Sequence, residues 1–108
     1  MPTFVKPEVK VDNTLAAQAF AAIGSVSRIQ VLGVILEAGE RGLTIGEIQK
    51  KTGIAASTLA HHLRFLCDAS LVIQEKQGRR ILNRTHKELI EALGIFLTNI
   101  SNSMEEGE

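Results

Sequence analysis

Apolar positions repeat with helical spacing through most of this chain and switch to a strand pattern in one short stretch. Leu15, Ala19, Ala22 and Ile23 recur at i, i+4, i+7 and i+8, predicting a first helix from a cap at Asp12 or Asn13 to about Ile23. Alanines at 16, 17, 19, 21 and 22 keep that stripe thin and open to close approach by another helix. Gly24 breaks the pattern, and Ser25 can cap a second helix from Val26 to about Glu37. Ile29, Leu32, Val34, Ile35 and Leu36 make this second helix the most apolar element of the chain. A loop at 38–42 follows, then a very short strand at Leu43 and Thr44, and a third helix from Ile45 to Thr52. Gly53 supplies a left-handed corner, and a fourth helix runs from Ala56 or Ser57 to about Ala69.

After Ser70 the period changes. Leu71, Val72 and Ile73, then Ile81 and Leu82, predict two strands joined by a tight turn at Gln77–Gly78. A last helix is expected from about His86 to Ser101, with Leu89, Leu93, Phe96, Leu97 and Ile100 on one stripe widened by Ile90. Residues 1–11, with two prolines, read as an extended or disordered arm, and 103–108 as a disordered acidic tail. The domain is expected at 12–102. Its element order is α-α-α-α-β-β-α, mainly α with a small β-hairpin.

With 108 residues, 44% of them hydrophobic, the chain holds one domain with a modest core, and dimerisation would help its stability. No apolar run approaches the roughly 18 residues that span a membrane, and the N-terminus lacks the basic-then-apolar pattern of a signal peptide. The lone Cys67 rules out an intrachain disulfide and fits a reducing cytoplasm. Net charge is zero, yet it is unevenly spread: residues 1–40 carry −1, residues 41–87 carry +6, and residues 88–108 carry −5. A basic block at the centre of a neutral chain is the footprint of a phosphate-binding face.

The fourth helix explains what such a face would do. On a helical wheel Leu63, Leu66 and Cys67 lie within about 80° of Leu59, forming the core face. Ser57, His61, Arg64 and Asp68 cluster opposite, with Thr58 nearby and His62 on the border. Hydroxyls, an imidazole and a guanidinium on one outer face suit base edges in a major groove, and a helix N-terminus favours phosphate. Lys50 and Lys51 end the preceding helix. Lys76, Arg79 and Arg80 surround the hairpin turn, with Arg84 on the return strand; such cations fit a wing against a DNA backbone or minor groove. Together these features predict a winged helix-turn-helix bound to double-stranded DNA.

The stretches FAAIGSVSRIQVL (20–32), LTIGEIQKKTGIAASTLAHHLRFL (43–66) and LVIQEKQGRR (71–80) resemble the arsenic-repressor (ArsR/SmtB-type) winged-helix regulators, with STLAHHL the most specific part. The resemblance covers roughly residues 15–100. It implies a homodimer joined through the first and last helices, and a repressor released from its operator by a signal. Leu15, Ala19, Ala22, Leu89, Leu93, Phe96, Leu97 and Ile100 are the expected dimer contacts. The chain departs from the family's metal sites. Thr44 and Gly46 stand where some members keep cysteines, and His86, Glu88, Asn99 and Asn102 where others keep acidic and histidine ligands. Ser25–Val26 replaces the usual Asp-Pro, and the usual wing tyrosines are replaced around Leu82 and Asn83. The family's metal sites are therefore expected to be missing, no cofactor is expected, and the inducer is not legible.

Other readings are weaker. His61 and His62 point about 100° apart on a helix and cannot share one metal within one chain. Cys67 on an apolar face reads as an inert small hydrophobe rather than a redox thiol. Without tryptophan or tyrosine there is little platform for stacking single-stranded bases. No nucleophile–base–orienter set or phosphate-cradling glycine loop points to an enzyme. The remaining rival is a winged helix serving as a protein-interaction module that does not touch DNA, which would have no use for the +6 block.

Overall fold

The structure, a computed structural model, describes residues 9–106, with side chains to residue 103. Helices α1 (Asn13–Ile23) and α2 (Val26–Ala38) are followed by a 3-10 turn at Gly39–Arg41. Then come α3 (Ile45–Thr52), α4 (Ala56–Asp68), strands β1 (Val72–Gln77) and β2 (Arg80–Thr85), and α5 (Lys87–Glu106). The expected order holds throughout. Among the described residues no single helix is long and apolar enough to cross a membrane.

Local chemistry sets the boundaries. Asp12 caps α1 by accepting the Leu15 N–H at 2.8 Å, and Ser25 caps α2 by accepting that of Arg28 at 3.3 Å. At α3, Thr44 and Glu47 form a reciprocal capping box: the Thr44 hydroxyl accepts the Glu47 N–H at 3.2 Å, and the Glu47 carboxylate accepts the Thr44 N–H at 2.9 Å. That bond, with the Thr44 hydroxyl and the charges of Arg41 and Arg80, holds the Glu47 carboxyl below its ordinary range against an opposing effect of burial.

The core is a continuous cluster fed by every helix. Ala16, Ala19 and Ala22 of α1, Val31, Leu32 and Ile35 of α2, Ile48 of α3, Leu59, Leu63 and Leu66 of α4, and Leu89 and Leu93 of α5 are buried in it with Leu43, Leu71 and Val72. Val9 and Val11 pack against its edge, so the end of the expected free arm is docked apolar chain; residues 1–8 lie outside the described residues.

The hairpin pairs antiparallel, Val72 opposite Thr85 through Gln77 opposite Arg80. Its two-residue turn is Gly78–Arg79, one position later than the sequence pattern suggested. Gly78, at φ +62°, takes the first loop position, where a type II′ turn needs positive φ. The short strand expected at Leu43 is present as a single bridge. The Leu43 N–H donates to the Asn83 carbonyl at 3.0 Å, and the Asn83 N–H to the Leu43 carbonyl at 2.7 Å. The Asn83 side chain, 1% exposed, repeats the link: its amide donates to the Leu43 carbonyl at 3.1 Å and its oxygen accepts from Gln74 at 2.8 Å.

The last helix departs from expectation. It continues past Ser101 to Glu106, into the segment read as a tail, because nothing between Asn102 and Glu106 breaks a helix before Gly107.

Candidate nucleic-acid interface

The corner between α3 and α4 is fastened by its own side chains. Gly53 adopts φ +74° and ψ 7° and donates its N–H to the Gln49 carbonyl at 2.7 Å. The Thr52 hydroxyl donates to the Ile48 carbonyl at 2.8 Å and accepts the Ile54 N–H at 3.2 Å. This sets the angle at which α4 leaves the body. Side chains cap α1, α2 and α3, but the N-cap of α4 is Ala55, which offers no side-chain acceptor. Its first-turn N–H groups are left to an outside acceptor, the arrangement that suits a phosphate oxygen.

Along α4 the division of faces is as expected. Leu59, Leu63 and Leu66 are buried, while Ser57, Thr58, His61, Arg64 and Asp68 are exposed on the opposite face. Lys50 and Lys51 are exposed at the end of α3, and Lys76, Arg79 and Arg80 are exposed around the hairpin tip. Beyond Val72 every residue of β1 is exposed, so the hairpin stands away from the core.

Two of the residues expected at this face are placed differently. Arg84 sits at the hairpin root, half-buried: its guanidinium meets the Glu75 carboxylate at 3.1 Å, and its side chain packs over Gly42. It anchors the wing rather than lining the tip, because strand alternation points it at the body. His62 is half-buried, with its Nδ1 enclosed and unpartnered. Burial first, then the nearby Arg28 and His61, push its pKa below the ordinary 6.5, so the ring is neutral at pH 7. Cys67 is half-buried, and burial reinforced by Asp68 pushes its thiol up, which keeps it protonated.

The expected dimer contacts divide sharply. Ala19, Ala22, Leu89 and Leu93 are buried within the single chain and have no surface to offer a partner. Leu15 and Phe96 are half-buried; only Leu97, at 50%, and Ile100, at 43%, are exposed. Apolar periodicity reports that a face is covered, not by which chain. Two further uncharged residues also belong to the picture. Gln74 holds Asn83 beside the cleft shared by Arg64 and Asp68, and Phe65 is 42% exposed next to His61. A large aromatic on the exposed half of an amphipathic helix was the signal available for Phe65.

Helix-turn-helix, bridged hairpin and closing helix together define a winged helix-turn-helix. Residues 25–74 match the family model described as bacterial regulatory protein, arsR family. The chain is 28% identical over 85 residues to the HTH-type transcriptional regulator YgaV of Escherichia coli K12, covering 79% of this chain and 84% of that one. An ArsR-like transcriptional regulator from Rhodococcus sp. RHA1 superposes with TM-score 0.75 at 22% identity, covering 86% and 85% of the two chains. A solution structure described as the homodimeric winged helix-turn-helix DNA-binding domain Mb0332 of Mycobacterium bovis superposes with TM-score 0.66 at 19% identity, covering 94% and 95%. This chain thus has the winged helix-turn-helix fold, and the proteins it is similar to are HTH-type transcriptional regulators, among them ones described as arsR family or ArsR-like.

Proposed function

We propose that the protein is a homodimeric, sequence-specific transcriptional repressor of the cytoplasm that binds a palindromic operator in double-stranded DNA. The observation that carries this reading is the combination on one chain of an α4 N-terminus that no side chain caps, its polar outer face, and the exposed cationic hairpin tip. Helix α4 enters the major groove, where Ser57, Thr58, His61 and Arg64 meet base edges; Lys50, Lys51, Lys76, Arg79 and Arg80 meet phosphates or the minor groove. The neutral total charge is compatible with this, since residues 41–87 carry +6 and the balancing negative charge lies mostly in residues 88–108.

The dimer reading is supported by α5. Leu89 and Leu93 anchor its first half in the core, while Ile95, Leu97 and Ile100 expose apolar surface farther along. The exposed side of α1 carries Thr14, Ala17, Gln18 and Ala21, small or uncharged residues that let a partner helix approach closely. Two-fold pairing through these faces would place two α4 helices on the two halves of a palindrome. The homodimer described for the Mycobacterium bovis domain supports the same assembly here. Thr44 is occupied as the α3 cap and Gly46 has no side chain, so release by a thiolate-bound metal at the third helix is not part of the proposal.

Fluorescence anisotropy on operator and random duplexes across a salt series tests this. Arg64→Ala should narrow the gap between operator and random DNA. Arg79→Ala with Arg80→Ala should weaken both and flatten the log–log salt slope by about 0.9 per lost phosphate contact. A wild-type salt slope in the double variant would remove the wing from the interface. Failure of the wild type to bind any duplex would favour a protein-interaction module.

A further inference from the structure

Phe65 and Arg28 are unexplained by packing. The core face of α4 is complete with Leu59, Leu63 and Leu66, yet Phe65 stays 42% exposed on the other side. Arg28, half-buried on α2, has no carboxylate partner among the described residues. Its Nε donates to the Ala22 carbonyl at 2.6 Å, in the last turn of α1, where helix carbonyls lack internal donors and a cation is favoured. The guanidinium carbon then lies 4.6 Å from the centroid of the Phe65 ring. On the same ring, His61 packs edge to face, with centroids 4.9 Å apart and planes at 86°. Residues 61 and 65 are one helical turn apart, so the two rings meet on the DNA-facing side of α4.

We propose that Arg28 and Phe65 are positioning residues that hold His61 in the orientation with which it reads DNA, so that the end of α1 is joined by direct contacts to the reading face of α4. This rests on the DNA reading given above. An exposed histidine would otherwise sample several rotamers; a ring held edge-on against a stacked phenyl is preorganised, and a donor fixed before encounter discriminates better than one ordered by it. Two separate forces hold Phe65 as the pivot, a cation–π contact from α2 and an aromatic contact within α4. Because Arg28 is fastened to Ala22, the orientation of His61 depends on where α1 sits, and α1 is a helix proposed to meet the partner subunit.

The test compares operator-to-random affinity ratios for variants chosen to separate orientation from stability, with thermal unfolding of each. Arg28→Lys keeps a cation able to reach the Ala22 carbonyl but has no planar face to stack. Phe65→Leu keeps apolar bulk without a ring, and Phe65→Tyr restores the ring. Arg28→Lys and Phe65→Leu should each lower the ratio about 3- to 10-fold, the range one aromatic or cation–π contact carries, while random-DNA affinity and thermal midpoint stay near wild type. Phe65→Tyr should recover the ratio to within about 2-fold on the same scale. Adding Arg28→Lys to His61→Ala should lower the ratio no further, since the group being positioned is gone. If His61→Ala lowers the ratio while Arg28→Lys and Phe65→Leu leave it at the wild-type value, the positioning role is overturned and the DNA reading stands. If His61→Ala changes nothing while Arg64→Ala does, His61 is not a reader and the proposal falls with that assignment alone.

Discussion

Gly42 is where the wing meets the body, and replacing it with alanine should be far more damaging than its place in a short loop suggests; it is buried there. It sits at φ +71° and ψ 177°, a region that residues with a side chain rarely enter, and a Cβ there would lie 2.7 Å from the Arg84 Cγ and 3.0 Å from the Asn83 carbonyl oxygen. The Arg84 atom belongs to a flexible side chain, but the Asn83 oxygen is backbone held in the bridge to Leu43. Backbone strain of about 2 kcal/mol and overpacking at its low end of about 1 kcal/mol, since the Arg84 side chain can partly yield, add to about 3 kcal/mol. At about 4 °C per kcal/mol for a domain near 100 residues, the thermal midpoint should fall by about 12 °C. Gly53 is the internal control. Its φ is +74° but nothing lies within 4 Å of its Cβ position, so Gly53→Ala incurs only the left-handed penalty, about 1 kcal/mol or 4 °C. Far-UV circular dichroism melts of both variants measure the difference, and hydrogen exchange at the Leu43 and Asn83 amides reports whether the wing has loosened. Equal midpoints for the two variants would show that Arg84 and Asn83 yield freely, and the argument for a tightly docked wing root would fail.

Asn83→Ala should cost about 2 kcal/mol in denaturant unfolding, because it removes one buried and one part-buried hydrogen bond and leaves the Leu43 carbonyl without its side-chain donor. Leu97→Glu with Ile100→Glu should give a folded monomer in sedimentation that loses operator binding, whereas Leu93→Glu should unfold the chain because Leu93 is buried; a dimeric Leu97/Ile100 variant would refute the α5 interface. Acid should act in two windows. His62 has a lowered folded pKa, so its contribution is complete above 6.5 and is lost as pH falls from there through the folded value; Glu47, lowered from 4.5, contributes above 4.5 and fades as pH drops below it. His62→Gln should flatten the upper window in urea titrations while leaving the lower one, and an unchanged profile would contradict the lowered pKa of the half-buried ring.

Elements whose cause is local were legible in the chain. Ser25 and Gly53 announce a cap and a corner through their own backbone chemistry, and the alternation around Leu71 to Leu82 announces the hairpin. The outer face of α4 followed from one wheel, since Leu59, Leu63 and Leu66 leave Ser57, His61 and Arg64 only one side to occupy. What escaped depends on contacts between distant segments. Asn83 reads as an ordinary polar residue until Leu43, forty positions away, provides its partner. Arg84 resembles its cationic neighbours in every sequence property and differs because it meets Glu75 diagonally across the hairpin and packs over Gly42. Ala19 and Leu93 belong to stripes that do meet other helices, but their own chain supplies the cover. Arg28, assigned to nothing by pattern, acquires a role only when α1 and α4 are brought to either side of it.

The hairpin has one further consequence. β2 lies between β1 and the Leu43 bridge, so the far side of β1 is an open edge whose backbone can accept a strand from another molecule. Glu75 and Lys76, in mid-strand, are the kind of charges that deter such edge-to-edge addition. Lys76 would thus serve colloidal solubility in addition to the phosphate contact proposed for it. A Lys76→Ile protein should lose DNA affinity and precipitate at concentrations the parent tolerates, and a binding assay that did not count the soluble fraction would credit the whole deficit to the lost cation.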